Sequence, residues 1–353
     1  MTGGLAFSAV LAGTLAWIAL PLIPAIRELL NPRDAGPLDA VGQDSGELTF
    51  FADSFRQFVH AGGYAQAADG MLLPDGRQVV IATGVAPQAG DRQRMGLMVA
   101  EPGATLVGDV EYPAEIYGNG DLTIGAGAAV RAALSEGQLT LSPGVTALRW
   151  VHGERSLAVG DGSQLLGRAT SRGAIALGRG VLFERVLAPY IVVGEASIAP
   201  STLSTTAWEV ADSRPQFALA RASAVLASQH WLVDENLVIP DGHVFRGTLV
   251  VRGSLTIGAN CEIRGSIKAH KRLKIGQGTV ITGAAAGRAD IQLEARARVY
   301  GPVISEGTVT LLESARVGLP SMPASVSAER IVLHAGAEVF GSLSARLEGM
   351  TAT

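Results

Sequence analysis

The residues able to do chemistry are few and scattered. Five of the six histidines, His152, His230, His243, His270 and His334, are candidates for a general base, because imidazole titrates near neutral pH. None belongs to an HExxH pair, and neither a GxxxxGK[ST] phosphate loop nor a GxSxG nucleophile turn occurs. All three lysines fall in one basic concentration made by Arg264, Lys268, His270, Lys271, Arg272 and Lys274. Lys268, His270, Arg272 and Lys274 alternate, so in an extended segment they share a face. That face could meet anionic lipid or an acidic partner, or could simply be solvated. The one cysteine, Cys261, allows no internal disulfide and no Cys-based zinc cage. It falls at an inward strand position and reads as an inert buried thiol. No catalytic residue, cofactor site or metal site is assigned.

Any site would have to be held by a repeat, which is the main feature of the chain. In the C-terminal half, segments beginning at Leu237, Leu255, Leu273, Ile291 and Val309 start 18 residues apart, and Ile331 follows after 22. The extra four residues are assigned to a loop around Leu319–Pro323. Earlier, Leu122, Leu139, Leu157 and Ile175 start 17, 18 and 18 apart, and Tyr190–Gly194 resembles one more start. Within the Leu255 unit, Leu255, Ile257, Cys261, Ile263 and Ile267 form the apolar set. Period-two alternation means strand with one face inward, and the intervening Gly and Asn residues suit sharp corners. A chain that returns after 18 residues is a coil of a parallel β-helix, a β-solenoid. One such coil buries nothing alone, whereas stacked coils make a continuous aliphatic core. The fold expected is all-β, with coils about 4.8 Å apart. Ile257, Ile263, Ile275, Ile281, Leu293 and Val299 also fit a six-residue grid, so periodicity leaves the hand open.

Composition agrees. Of 353 residues, 48% are hydrophobic and the net charge is −4, which excludes a disordered chain. Only 5% are aromatic, as a narrow interior requires. A pI near 5.9 argues against nucleic-acid binding.

Residues 1–30 read as a transmembrane anchor. Leu5–Ile26 carries no charge over 22 residues, about 33 Å as a helix, and the bilayer core is about 30 Å thick. Leu5, Val10, Leu15, Trp17, Leu20 and Ile26 mark the span. A cleaved signal peptide and a buried helix are the competing readings, and the lack of Lys or Arg in the first four residues disfavours the former. Arg27 and Arg33 follow the span, so the positive-inside rule places the solenoid in the cytoplasm of a single-pass inner-membrane protein. Residues 31–46 are a polar linker. Residues 47–100 lead into the solenoid, with Phe50, Phe51, Phe55, Phe58 and Val59 at helical spacing and Gly62–Gly63 ending the pattern. That amphipathic helix either caps a core or lies on lipid. The remaining divisions are a first, diverged array over 101–197, an irregular insertion over 198–236, the regular array over 237–346 and a tail over 347–353.

Residues 246–346 resemble a bactofilin domain. The likeness is carried by RGTLVVRGSLTIGANCEIRGSIKAHKRLKIGQGTVITGAAAG and by AERIVLHAGAEVFGSLSA. It implies a right-handed β-helix that polymerises end to end without nucleotide, often on the bacterial inner membrane, as a scaffold for cell-envelope or polysaccharide machinery. The implied partners are a second copy of the chain, the lipid bilayer and an envelope-associated client, with no cofactor. The chain departs from the family in its anchor and its second array.

Open coils expose unpaired backbone groups and an open core. The last coil, with Val339, Phe340 and Leu343, is therefore expected to mediate self-association unless the short tail folds over it. Two other readings stand beside the scaffold: a non-polymerising subunit of an envelope or export complex, and a hexapeptide-type acyltransferase using one of the histidines.

Overall fold

Apolar side chains at every second position, interrupted by a corner about every six residues, dictate short strands that must find partners one coil away. A computed structural model of the chain describes residues 46–82, 95–194, 214–219, 224–227 and 230–352. It is an all-β parallel β-solenoid of about 13 turns. At about 4.8 Å per rung the stack is roughly 60 Å long.

The solenoid has three faces and two arrays. In array I, face a is made by Ala104–Leu106, Leu122–Ile124, Gln138–Leu141, Ser156–Val159 and Ala174–Leu177. Faces b and c are the first and last parts of the longer strands Glu111–Gly118, Ala129–Ser135, Thr146–Gly153, Gln164–Ser171 and Leu182–Val193. The end of the last strand returns to face a, where Tyr190 pairs with Ala174. In array II the pairing repeats with a step of 18: Leu237↔Leu255↔Leu273↔Ile291↔Val309 on face b, Val244↔Glu262↔Val280↔Arg298↔Arg316 on face a and Leu249↔Ile267↔Ala285↔Val303 on face c, the faces matched to those of array I where the last coils pair. Ile331 then pairs with Val309 after a step of 22. The extra residues form a small hairpin closed by mutual Leu319–Met322 backbone bonds.

The expected inward set is inward. Leu255, Ile257, Cys261, Ile263 and Ile267 are buried, as are Ile275, Ile281, Leu293 and Val299. Corners recur at one position per coil. Gly242, Asn260, Gly278, Arg296, Ser314 and Gly336 occupy equivalent places, and all have φ between 53° and 73°.

The two arrays share one core and meet through their last coils. Leu182–Val193 runs antiparallel to Glu338–Thr351, pairing Leu182 with Met350, Val186 with Leu343 and Ile191 with Val339. A single apolar cluster runs from Met95 through Val186 and Leu343 to Val251 and Val233. Both arrays thus advance toward the junction, and antiparallel contact of two such ends requires coils of like hand. The expected tail over 347–353 is corrected: Gly349–Thr351 continues the final strand and pairs with Ile331–Leu333. Part of the expected insertion, His230–Val233, is the first rung of array II and pairs with Thr248–Val251.

The helix expected from the phenylalanine spacing is present. It is α1, Gly46–Ala61. Ala52 and Val59 are buried and Phe55 is half-buried against Tyr117, Leu134 and Trp150 of face c, while Phe50, Phe51 and Phe58 are exposed. α1 therefore covers array I.

The membrane expectation is corrected. The span marked by Leu5, Val10, Leu15, Trp17, Leu20 and Ile26 lies outside the described residues. Among the described residues no helix is long and apolar enough to cross a membrane. At 16 residues, with Asp53 and Arg56 in its middle, α1 is too short and too polar. The single-pass inner-membrane placement has no support in the described fold.

Candidate functional site

Among the described residues, the junction between the arrays and the α1-covered face c bring residues far apart in sequence together.

At the junction, the three residues expected at an open end are buried. Val339 faces Ile191, Leu343 faces Val186, and Phe340, 3% exposed, lies 5.3 Å from the Tyr190 ring. The expectation of an exposed, adhesive last coil is corrected, because array I of the same chain satisfies its backbone and closes its core. The fit is specific. Down face b of array II the inward column reads Leu237, Leu255, Leu273, Ile291, Val309, Ile331 and then Gly349. Gly349 pairs with Phe183, whose ring occupies the space a β-carbon at 349 would need. Buried Thr351 finishes the seam: its Oγ1 donates to Gly178 O at 2.7 Å and accepts from Val181 N at 2.9 Å. On face a, Arg316 Nε lies 2.6 Å from Glu338 Oε2. Burial, then the Glu338 charge, push the Tyr190 phenol above its ordinary value.

Under α1 lies a dense set of ionisable groups. The outward column of face c reads Val99, Tyr117, Leu134, His152 and Thr170. Arg56 of α1 donates to Glu136 from Nε at 2.8 and 3.1 Å, to Asp53 from Nη1 at 2.8 Å, and to Glu154 from Nη2. Arg172 reaches Asp53 at 2.9 Å and Glu154 at 3.2 Å. The Tyr117 hydroxyl donates to Glu136 at 3.0 Å and lies 3.1 Å from His60 Nε2. His152, 0% exposed, sits with Nδ1 2.8 Å from Thr170 Oγ1 and Nε2 3.2 Å from Glu154 Oε2.

The electrostatics follow from burial against pairing. Burial, the largest influence, lowers the His152 pKa, against the upward pull of its hydrogen bond and charge contact with Glu154. Burial likewise raises the Glu154 carboxyl, but the His152 hydrogen bond and the Arg56 and Arg172 charges outweigh it and hold it below its usual range. Asp53 is also held low, by Thr49, Arg172 and Arg56 against its burial. Burial and then Glu136 drive the Tyr117 phenol well above its ordinary value.

Thr170, His152 and Glu154 follow the hydroxyl–imidazole–carboxylate order that can activate a nucleophile. Here Thr170 is buried. A groove of about 980 Å³ along face a, floored by Thr140, Ala158 and Ala176, ends at His334 and Glu313 across the junction and does not reach it. A cleft of about 370 Å³ between Phe55, Phe58, Leu73 and Gly96 does not reach it either. The arrangement is a polar clamp between helix and sheet.

The remaining sequence candidates are dispersed. His230 lies on the outer coil, His243 at a corner with Nδ1 2.9 Å from Asp241 O, His270 at another corner, and His334 at the groove end. The basic concentration does not form one face. Arg264 projects from face a and pairs with Glu262 at 2.6 Å. Lys268 projects from face c, while His270, Lys271 and Arg272 make the corner. Lys274, on face b, pairs with Glu294 at 3.0 Å. The strand breaks at that corner, so the alternation does not carry through. Cys261 is buried, bonded to Pro240 O at 3.0 Å, and burial pushes its thiol pKa up. Among the described residues no group of three or more His, Cys, Asp or Glu could hold a metal ion.

The α1 clamp was missed in the sequence, although one signal exists: Glu136 and Glu154 are one coil apart, so a carboxylate ladder on face c follows from the repeat. No protein-family model matches the chain, and no curated protein or solved structure matches it.

Proposed function

We propose that this protein is a non-enzymatic structural scaffold, a stiff β-solenoid that holds partner proteins in place without nucleotide or cofactor. The observation that carries the reading is the junction. Two arrays use their last coils on each other, so a single chain builds a solid rod about twice the length of either array. The resemblance of residues 246–346 to bactofilins supports the same role and suggests clients among cell-envelope or polysaccharide machinery. With the last coil of array II occupied, the reading favoured is a discrete structural subunit rather than a filament grown from that coil.

Light scattering and negative-stain microscopy of the full chain test this. Discrete particles with a rod about 60 Å long are expected. Filaments that Phe340→Ala abolishes while the rungs stay folded would overturn it, because Phe340 would then be an assembly residue and not a seam residue.

A further inference from the structure

Among the described residues, face c of array I is the one solenoid face covered by a helix, and His152 lies in the column that α1 covers. The imidazole is held between Thr170 and Glu154, and the Arg56 and Arg172 guanidiniums close over Glu154. Among the described residues, the polar groups around this imidazole come from three elements. Its own strand and the corner after it supply Glu154. The next rung and its corner supply Thr170 and Arg172. α1 supplies Asp53 and Arg56. Further along the same cover, Glu136 and Tyr117 meet Arg56 and His60.

We infer that α1 is an acid-released latch, in which a proton on His152 favours a state with the helix lifted from face c.

With His152 neutral, two arginines oppose the three carboxylates Asp53, Glu136 and Glu154, a local charge of −1. The Glu154 and Asp53 charges favour a proton on the ring, and the Arg56 charge opposes it more weakly than burial does. What opposes it most is the loss of water around the ring, the largest influence on His152 and one that disappears when α1 leaves. The sign follows. The ring is harder to protonate under the helix than in water, so the closed state has its full advantage above the free imidazole value of about 6.5 and loses it as pH falls below that. Between the free and the closed-state values, one proton shifts the closed-to-open ratio by about tenfold per pH unit. Asp53 and Glu154 act in the same direction at lower pH, where their pairing is lost. Lifting α1 takes Ala52, Phe55 and Val59 out of the cluster they share with Leu97, Val99, Tyr117, Leu134 and Trp150, which leaves part of an apolar surface open, of the kind that serves as a contact site.

Hydrogen exchange of the full chain, read at the amides of residues 52–61 and corrected for intrinsic rates, tests the latch. Protection there should fall by about tenfold per pH unit below about 6.5, while the rungs from Leu255 to Leu311 remain protected. His152→Gln should abolish that fall, and His60→Gln should keep it. Flat protection in the wild type, or an equal fall in His152→Gln, overturns the inference. Should the variant not fold, NMR titration of the wild-type His152 ring decides. Its midpoint must coincide with loss of α1 protection, and a ring that titrates under a protected helix, or never titrates while the rungs stay folded, overturns it equally.

Discussion

A left-handed corner recurs once per coil, and the residues that fill it differ. Array I uses Asp109 and then Gly127, Gly144, Gly162 and Gly180, whereas array II places Asn260, Arg296 and Ser314 among its glycines. A β-carbon in this conformation costs roughly 1–2 kcal/mol. At Gly162 a β-carbon would touch nothing, so the cost of Gly162→Ala is torsional alone. It should destabilise by about 1 kcal/mol, whereas Arg296→Gly should stabilise by up to about 1 kcal/mol after its backbone entropy cost. Chemical denaturation of both variants measures the two signs. Thr351 is the second residue with a definable worth. Thr351→Val would leave Val181 N and Gly178 O buried without their side-chain partner, a loss of about 1–3 kcal/mol at the seam.

The helix gains its place from two kinds of contact. Ala52, Phe55 and Val59 bury an apolar stripe, and Arg56 ties α1 to carboxylates on two successive rungs. These ion pairs are partly exposed, so their worth is modest, about 1 kcal/mol in all. Arg56→Met should therefore loosen α1 without unfolding the rungs. Protease susceptibility near residue 56 should rise, and the β-rich circular dichroism signal should persist. Below pH 4 the wild type should approach the same behaviour. Asp53 and Glu154 have depressed pKa values, so their contribution is present above the free carboxylate range of about 4 and is lost as pH falls through their folded values.

At the scale of the whole molecule, the continuous core predicts that the arrays unfold together. Gly349→Ala drives a methyl into the Phe183 ring, an overpacking expected to cost about 1–3 kcal/mol. Because the seam couples the halves, this change should lower the melting transition of both arrays, as read by exchange in Leu122–Leu177 and in Leu255–Leu311. Phe183→Leu in the same chain should recover part of the loss, a positive coupling in a double-mutant cycle. Separate transitions for the two arrays in the wild type would show that the shared core does not transmit stability.

What the sequence by itself determined is whatever repeats locally. Leu237, Leu255, Leu273, Ile291 and Val309 at 18-residue intervals specify rungs, because each coil needs only its neighbour one coil away. The corner glycines and the loop around Leu319–Pro323 were legible for the same reason, though its closure as a hairpin was not, and so was α1, whose phenylalanines recur at helical spacing. The seam was not legible. Val181 and Thr351 are 170 residues apart, and alternating apolar strands on both sides look like any other rungs. Nothing local says whether Phe340 meets solvent, another copy or Tyr190. The break at Gly349 in an otherwise aliphatic column was the one trace of it. The clamp of Arg56 on Glu136 and Glu154 spans 80 and 98 residues, so only the folded stack, which turns sequence steps of 18 into rungs about 4.8 Å apart, could bring those charges under one helix.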